Sequence, residues 1–168
     1  NHNDTVSRFL QGKQRGKWLP EPTKPSLSNA MDVSRPRNWC RVQHMLNEGW
    51  FPRGDFGAKS VGEDDTRDAM RTLRDMGYVS EPHAAVAYSA LDSASMGGSA
   101  YTDIFVSTAH PAKFKSSVGA VLDMRLDNVP RPLVEALARP CLAMKLDNDY
   151  AALRNALQAD RHLEYTSC

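Results

Sequence analysis

The sequence has few cysteines and none of the spacings that pair them or bind a metal. Its 168 residues include three cysteines, Cys40, Cys141 and Cys168, with no CxxC pair and no regular spacing to the five histidines. We therefore predict neither a disulfide framework nor a metal site. Free thiols fit a reducing compartment, so we expect a cytoplasmic protein.

The sequence also lacks a long apolar run and an excess of charge of either sign. No segment approaches the roughly 18 apolar residues that cross a bilayer, and residues 1–9 lack the regions of a secretory signal. Lys and Arg number 21 against 20 Asp and Glu, and the basic residues are scattered. We therefore expect neither a membrane nor a nucleic acid as a partner.

What is present is the composition of an ordinary globular domain with apolar residues at helical spacing. Hydrophobic residues make up 41% and charged residues 24%. Residues 13–34 contain three prolines, which favour an extended loop. The motif Ser60-x-x-Glu63 predicts a capping box ahead of the second helix. The apolar spacing predicts helices at about 36–48, 63–76, 82–92, 111–122, 132–138 and 150–157.

Two short runs predict strands between these helices. Residues 104–106, Ile-Phe-Val, have the pattern of a strand buried on both faces of a parallel sheet, and residues 141–146 are also strand-like. A strand followed by a polar loop and a helix is the unit that binds ligands in open α/β folds. The sequence therefore predicts an α/β fold in which strands alternate with helices, ending in a C-terminal α/β appendage.

Four stretches of the sequence resemble, in order, the C-terminal part of threonine synthases. They are Asn-Asp-Thr-Val at 3–6, Ser-Leu-Ser-Asn-Ala-Met-Asp-Val at 26–33, Glu-Pro-His-Ala-Ala-Val at 81–86 and Ser-Thr-Ala-His-Pro-Ala-Lys-Phe at 107–114. The segment 150–157 is similar as well. The sequence opens at Asn1 rather than at Met, which fits a chain that begins partway through a larger protein.

The resemblance implies part of a fold-type II enzyme that uses pyridoxal 5'-phosphate. Residues 1–122 would be the C-terminal portion of the large cofactor-binding domain, and residues 123–168 the appendage. The Schiff-base lysine and the glycine-rich phosphate cup would lie upstream, in an N-terminal part that this chain lacks. The resemblance therefore implies no catalytic residue in this chain and makes the missing part its partner.

The reaction that the resemblance implies converts O-phospho-L-homoserine and water to L-threonine and phosphate. The chain alone would be inactive because it lacks the lysine that holds the cofactor. The alternative is a non-catalytic, truncated relative that binds a phosphorylated metabolite or another protein.

The resemblance places a hydroxyl beside the pyridine nitrogen of the cofactor. We assign this contact to Thr108, with Ser107 as the rival. Either hydroxyl could instead cap the helix that Pro111 begins, because both residues suit an N-cap position.

Four further residues are candidates for binding the substrate. His110 and Lys113 precede or begin a helix, where backbone N–H groups favour an anion such as the substrate phosphate. Their alternatives are a hydrogen bond within the turn for His110 and a solvated surface charge for Lys113. Asn29 and Asp32 lie in the proline-stiffened loop and could contact the substrate or make local turn hydrogen bonds.

Overall fold

The computed structural model of the chain describes residues 1–13, 17–50, 52, 57–92 and 102–160. Within these residues all regular structure is helical. The α-helices are α1 (Thr5–Leu10), α2 (Trp39–Asn47), α3 (Glu63–Asp75), α4 (Pro82–Asp92), α5 (Lys115–Leu122), α6 (Arg131–Leu137) and α7 (Tyr150–Asp160). In the same described residues, two short 3-10 helices cover Asn29–Met31 and Pro111–Phe114. No helix in the described ranges is both long and apolar enough to cross a membrane.

The predicted helices are confirmed, with ends that move by a few residues. Helix α2 begins at Trp39 rather than near Pro36, because the preceding residues form a turn in which the Trp39 amide donates to the Pro36 carbonyl at 3.1 Å. Helix α3 ends at Asp75, just before Gly77, whose φ of 90° is in the left-handed region. Glycine adopts this conformation without the Cβ clash of other residues, which explains the stop.

The cap of α3 lies two residues beyond the predicted capping box. Gly62 is the N-cap residue, and its backbone N–H donates to the Asp65 carboxylate at 3.4 Å. Ser60 instead donates to the Asn1 carbonyl, and Glu63 accepts from the Leu27 amide. The residues of the predicted box therefore make tertiary contacts to distant parts of the chain.

The predicted strand at residues 104–106 is wrong. This segment has no regular secondary structure, and Ile104 and Val106 are 79% and 71% exposed. Phe105 alone turns inward, where its ring lies 5.8 Å from that of Tyr88 and 6.3 Å from that of Tyr78. A strand needs neighbours that pair with its backbone groups, and no strand occurs in the part of the chain that the structure describes.

The second predicted strand is wrong for the same reason. Residues 141–146 are irregular and exposed, with Leu142 at 91%. The expected α/β class, including the α/β appendage, is therefore corrected to an all-helical arrangement for the described residues.

The chain divides into two compact units, Asn1–Asn128 and Val129–Cys168. In the described part of the second unit, α6 and α7 are joined by an exposed segment. The assignment of residues 1–122 to a large cofactor-binding domain stays a prediction.

The core of the first unit lies where α3 packs on α4 and α5. Met70 of α3 and Val118 of α5 are completely buried, and burial of each such side chain contributes about 1.5–3 kcal/mol. The core cluster consists of Ala69, Met70, Ala85, Val118, Leu122 and Leu126. Phe114, at the end of the second 3-10 helix, packs against this cluster.

Three aromatic rings hold α1 and α2 together with the segment between them. Trp18 stacks on Trp39 with ring centroids 5.2 Å apart and planes within 5°, and Phe9 meets both rings edge-on. Offset and edge-on ring pairs add about 0.5–1.5 kcal/mol beyond the area that they bury.

A buried carboxylate starts α4. Glu81 is 0% exposed, and it accepts hydrogen bonds from the backbone N–H groups of His83 and Ala84, each at 2.8 Å. The Nδ1 atom of His83 lies 2.5 Å from the same carboxylate. Three donors therefore compensate the cost of removing this charge from water, and two of them belong to the first turn of the helix.

We expect Glu81→Gln to lower the free energy of unfolding by about 1–3 kcal/mol, because the amide NH₂ would replace an acceptor of these buried donors. Urea unfolding of the chain measures the change. Asp68→Asn is the control, since Asp68 is exposed and paired with Arg71 on the surface, and it should change stability by no more than about 0.5 kcal/mol. Equal effects of the two substitutions would contradict the cap.

Candidate functional site

Residues 107–114 form a turn that leads into α5, and His110 organises it. His110 has extended backbone dihedrals and is the N-cap of the 3-10 helix that begins at Pro111. The Ala112 backbone N–H donates to Nδ1 of His110 at 3.1 Å, and the Lys113 N–H donates to the His110 carbonyl at 3.0 Å. His110 therefore fills the capping position that the sequence left open between Ser107 and Thr108.

The hydroxyl groups of Ser107 and Thr108 are not used in the turn. Both side chains are exposed, and neither has a hydrogen-bond partner within the described ranges. Because His110 provides the cap, these two hydroxyls are left for a ligand or solvent.

A cavity of about 790 Å³ opens beside this turn in the first unit. Its lining comes from residues 77–79 after α3, residue 107 with residues 109–112, and residues 124–128 after α5. Ser107 and His110 are therefore brought together at this cavity, whereas Thr108 and Lys113 are not part of its lining. Lys113 is exposed.

The cavity also contains charges that the sequence did not point to. Asp123 ends α5 with a φ of 49°, so the chain reverses and residues 124–128 reach the cavity. Arg125 and Asp127 follow, with Nε and Oδ1 3.5 Å apart. Glycine is the usual signal for a left-handed residue at this position, and an aspartate there hides the reversal from sequence reasoning.

The Asp32 carboxylate makes hydrogen bonds within the loop before α2. One carboxylate oxygen of Asp32 accepts from the Ser26 backbone N–H at 3.0 Å, and the other accepts from the Ser26 hydroxyl at 2.5 Å. Asn3 Nδ2 lies 3.4 Å from the second oxygen. The carboxylate therefore holds the loop, which is the local alternative considered for it. Asn29, at the start of the 3-10 helix, is exposed.

Two asparagines bind this loop to the start of the chain. The Asn3 amide pairs with the Lys24 backbone through two bonds of 2.8 Å, one donated and one accepted. The Asn1 amide donates to the hydroxyls of Ser26 and Ser28 at 3.1 and 2.9 Å. The sequence did not predict these hydrogen bonds, although Asn3 and Ser26 belong to the first two stretches that resemble threonine synthases, residues 3–6 and 26–33.

Residues 81–86 and 107–114, the third and fourth stretches that resemble threonine synthases, also contact each other. The His83 ring, held by Glu81, lies 5.1 Å from the ring of Phe114. The candidate residues thus fall into two groups, one around the cavity and one on the loop, and the loop does not line the cavity. The described residues contain no group of three or more His, Cys, Asp or Glu side chains that could hold a metal.

Comparison with known proteins gives matches to threonine synthases. The family profile described as "Threonine synthase, C-terminal" matches residues 84–157. Threonine synthase from Escherichia coli K12 is 45% identical over 157 residues, and the protein of that name from Serratia marcescens is 43% identical over the same length. Each match covers 94% of this chain and 35% of the relative, so the chain spans about a third of these relatives' length.

Solved structures agree. The crystal structure of the Escherichia coli threonine synthase matches with a TM-score of 0.83 and 44% identity, over 95% of this chain and 36% of that one. A structure of PLP-bound threonine synthase from Brucella melitensis matches with a TM-score of 0.66 at 20% identity, over 95% of this chain and 39% of that one, which shows similarity of fold. The chain is therefore similar to threonine synthases over most of its length, and residues 84–157 match the model of that family's C-terminal region.

Proposed function

We propose that the chain is the C-terminal part of an enzyme that converts O-phospho-L-homoserine and water to L-threonine and phosphate. The observation that carries this proposal is the 45% identity to a threonine synthase across 94% of the chain. Because the chain spans about 35% of that relative, we infer that activity requires an N-terminal part as its partner. A cytoplasmic location is part of the proposal, and the exposed, unpaired thiols of Cys40 and Cys141 support it.

In this proposal the described residues would form one side of a pyridoxal phosphate site. When bound, pyridoxal phosphate supplies a conjugated ring that draws electrons from an amino-acid substrate. The hydroxyl of Thr108, exposed and unused by the turn, suits the ring nitrogen, with Ser107 as the alternative. All lysines of the chain are exposed, so none has the buried setting typical of a lysine that forms an imine. They are Lys13, Lys17, Lys24, Lys59, Lys113, Lys115 and Lys145.

The remaining candidate residues would bind and orient the substrate. His110 would donate a hydrogen bond at the cavity, and Lys113, which is exposed and lies outside the cavity lining, would add a positive charge on the surface next to it. On the loop, the exposed Asn29 amide would contact the substrate, while Asp32 would keep the loop in shape through its bonds to Ser26. An ordered loop binds at a lower entropy cost than one that must be fixed on binding.

The second candidate function is a non-catalytic module that binds a phosphorylated metabolite or a protein. The exposure of every lysine favours it for the chain in isolation.

A hybrid protein separates the two functions. The chain would replace the corresponding C-terminal third of the Escherichia coli threonine synthase, its 45% identical relative. We expect the hybrid to support growth without threonine in a strain that lacks its own threonine synthase. The purified hybrid should release phosphate and form threonine from O-phospho-L-homoserine. A folded hybrid that binds pyridoxal phosphate but forms no threonine would favour the non-catalytic module.

We expect the chain alone to form no borohydride-reducible imine with pyridoxal phosphate at a unique lysine, because its lysines are all surface amines. Intact mass and peptide mapping after reduction measure the labelling. Weak labelling spread over several lysines is the expected pattern, whereas stoichiometric labelling of one lysine, such as Lys113, would contradict it.

In the hybrid, we expect Thr108→Val to lower kcat and kcat/KM together by about 2-fold to 10-fold, the cost of losing a hydrogen bond between two neutral groups. Stability should change by no more than about 0.5 kcal/mol, since the hydroxyl caps no helix and valine is similar in size. Steady-state kinetics and melting on one preparation measure both effects.

Thr102→Val is the matched control, because Thr102 is also exposed but lies outside the turn. It should leave kcat unchanged. Normal turnover in Thr108→Val with a reduced melting temperature would remove the assignment of Thr108 to the cofactor.

A further inference from the structure

The bond that caps the turn determines where His110 carries its proton. The Ala112 backbone N–H donates to Nδ1 of His110 at 3.1 Å, so Nδ1 must present a lone pair. A neutral imidazole with an unprotonated Nδ1 carries its proton on Nε2. The backbone of the turn therefore selects a neutral His110 whose Nε2–H is a donor.

The position of His110 makes this donor available to a ligand. Nδ1 faces the backbone of its own turn, so Nε2 lies on the opposite edge of the ring. The side chain is exposed and lines the 790 Å³ cavity together with Ser107. His110 has no hydrogen bond other than those of the turn within the described ranges. Nε2 therefore has no hydrogen-bond partner among the described residues, and because the side chain lines the cavity, an acceptor bound there is within its reach.

The charges at the cavity indicate what that acceptor is. Arg125 and Asp127 form a surface pair, so the positive and negative charges of the lining offset each other. Two neutral donors, the Ser107 hydroxyl and the His110 Nε2–H, then determine which kind of ligand the cavity prefers. A phosphate group offers several strong acceptor oxygens and accepts from such donors and from an arginine. A cationic ligand would meet two donors and only one carboxylate.

We propose that His110, in its neutral Nε2–H form, donates a hydrogen bond to the phosphate group of the substrate in this cavity. This inference rests on the proposed function for the identity of the phosphate ester. It adds the protonation state of His110 and a separate role for each ring nitrogen. Nδ1 accepts the hydrogen bond that caps the turn, and Nε2–H donates to the ligand.

Two substitutions test the roles of the two ring nitrogens of His110 separately. His110→Asn keeps an acceptor near the position of Nδ1, and asparagine is a favoured N-cap residue, but it removes the donor at Nε2. His110→Gln places an amide NH₂ near the position of Nε2 but loses the cap. We therefore expect the first variant to be stable and defective in binding, and the second to be less stable and close to normal in binding.

Kinetics of the active hybrid test this division. His110→Asn should raise KM for O-phospho-L-homoserine, and the inhibition constant for inorganic phosphate, by about 10-fold to 100-fold, with kcat much less affected. His110→Gln should raise them only a few-fold while lowering the melting temperature. A normal KM in His110→Asn, or equal increases in both variants, would overturn the inference while leaving the proposed function intact.

Nuclear magnetic resonance of the whole chain tests the protonation state without any activity. Long-range ¹⁵N–¹H spectra, assigned by comparison with His110→Asn, should show a protonated Nε2 and an unprotonated Nδ1. Titration with inorganic phosphate should shift the Nε2–H signal of the native chain. A proton on Nδ1, or a signal unmoved by millimolar phosphate, would overturn the inference. An inactive hybrid together with the expected spectra would instead count against the proposed function alone.

Discussion

The packing of α3 against α4 and α5 is the constraint on which the rest of the first unit depends. Met70 and Val118 meet there without exposure to solvent, and Phe114 packs against the same cluster. Since Phe114 ends the turn of residues 107–114, the core fixes that end of the turn, and the bond from Ala112 to His110 holds the residues just before it. The start of α4 is tied to the same place by the ring contact between His83 and Phe114. Residues 110–114 are thus held by packing and by hydrogen bonds, whereas Ser107 and Thr108 are exposed.

The loop before α2 is held in another way, by polar side chains instead of a core. Asn1, Asn3, Ser26 and Asp32 form a connected set of hydrogen bonds, and the Ser26 hydroxyl donates to Asp32 while accepting from Asn1. Bonds arranged donor to acceptor in this manner polarise one another, so the set is more stable than its separate pairs. The consequence is that these side chains are occupied, and Asn29 is the candidate on this loop that remains exposed.

The sequence predicted local features well and features that need a distant partner poorly. The spacing of apolar residues located α3 and α4 almost to the residue, because helical hydrogen bonds form within one segment. The strand at residues 104–106 failed, because a strand is stable only beside another, and β-prone residues alone do not supply one. The capping box failed for a related reason. Ser60 and Glu63 bond to Asn1 and Leu27, contacts that no local motif encodes. For the candidate site, the sequence indicated the turn and the loop. It could not show which of their side chains are occupied by hydrogen bonds within the fold.

The assignment of side chains in the turn follows from competition for one position. A side chain at an N-cap position can accept from the first backbone N–H groups of a helix, which have no partner within it. Had Thr108 or Ser107 filled it, a hydroxyl would have been consumed and His110 would have been free to hold its proton on either nitrogen. With His110 in that position, both hydroxyls remain exposed and the imidazole is restricted to one neutral form. A single hydrogen bond, from Ala112 N–H to His110 Nδ1, therefore determines how many donors this turn offers and on which atoms they lie.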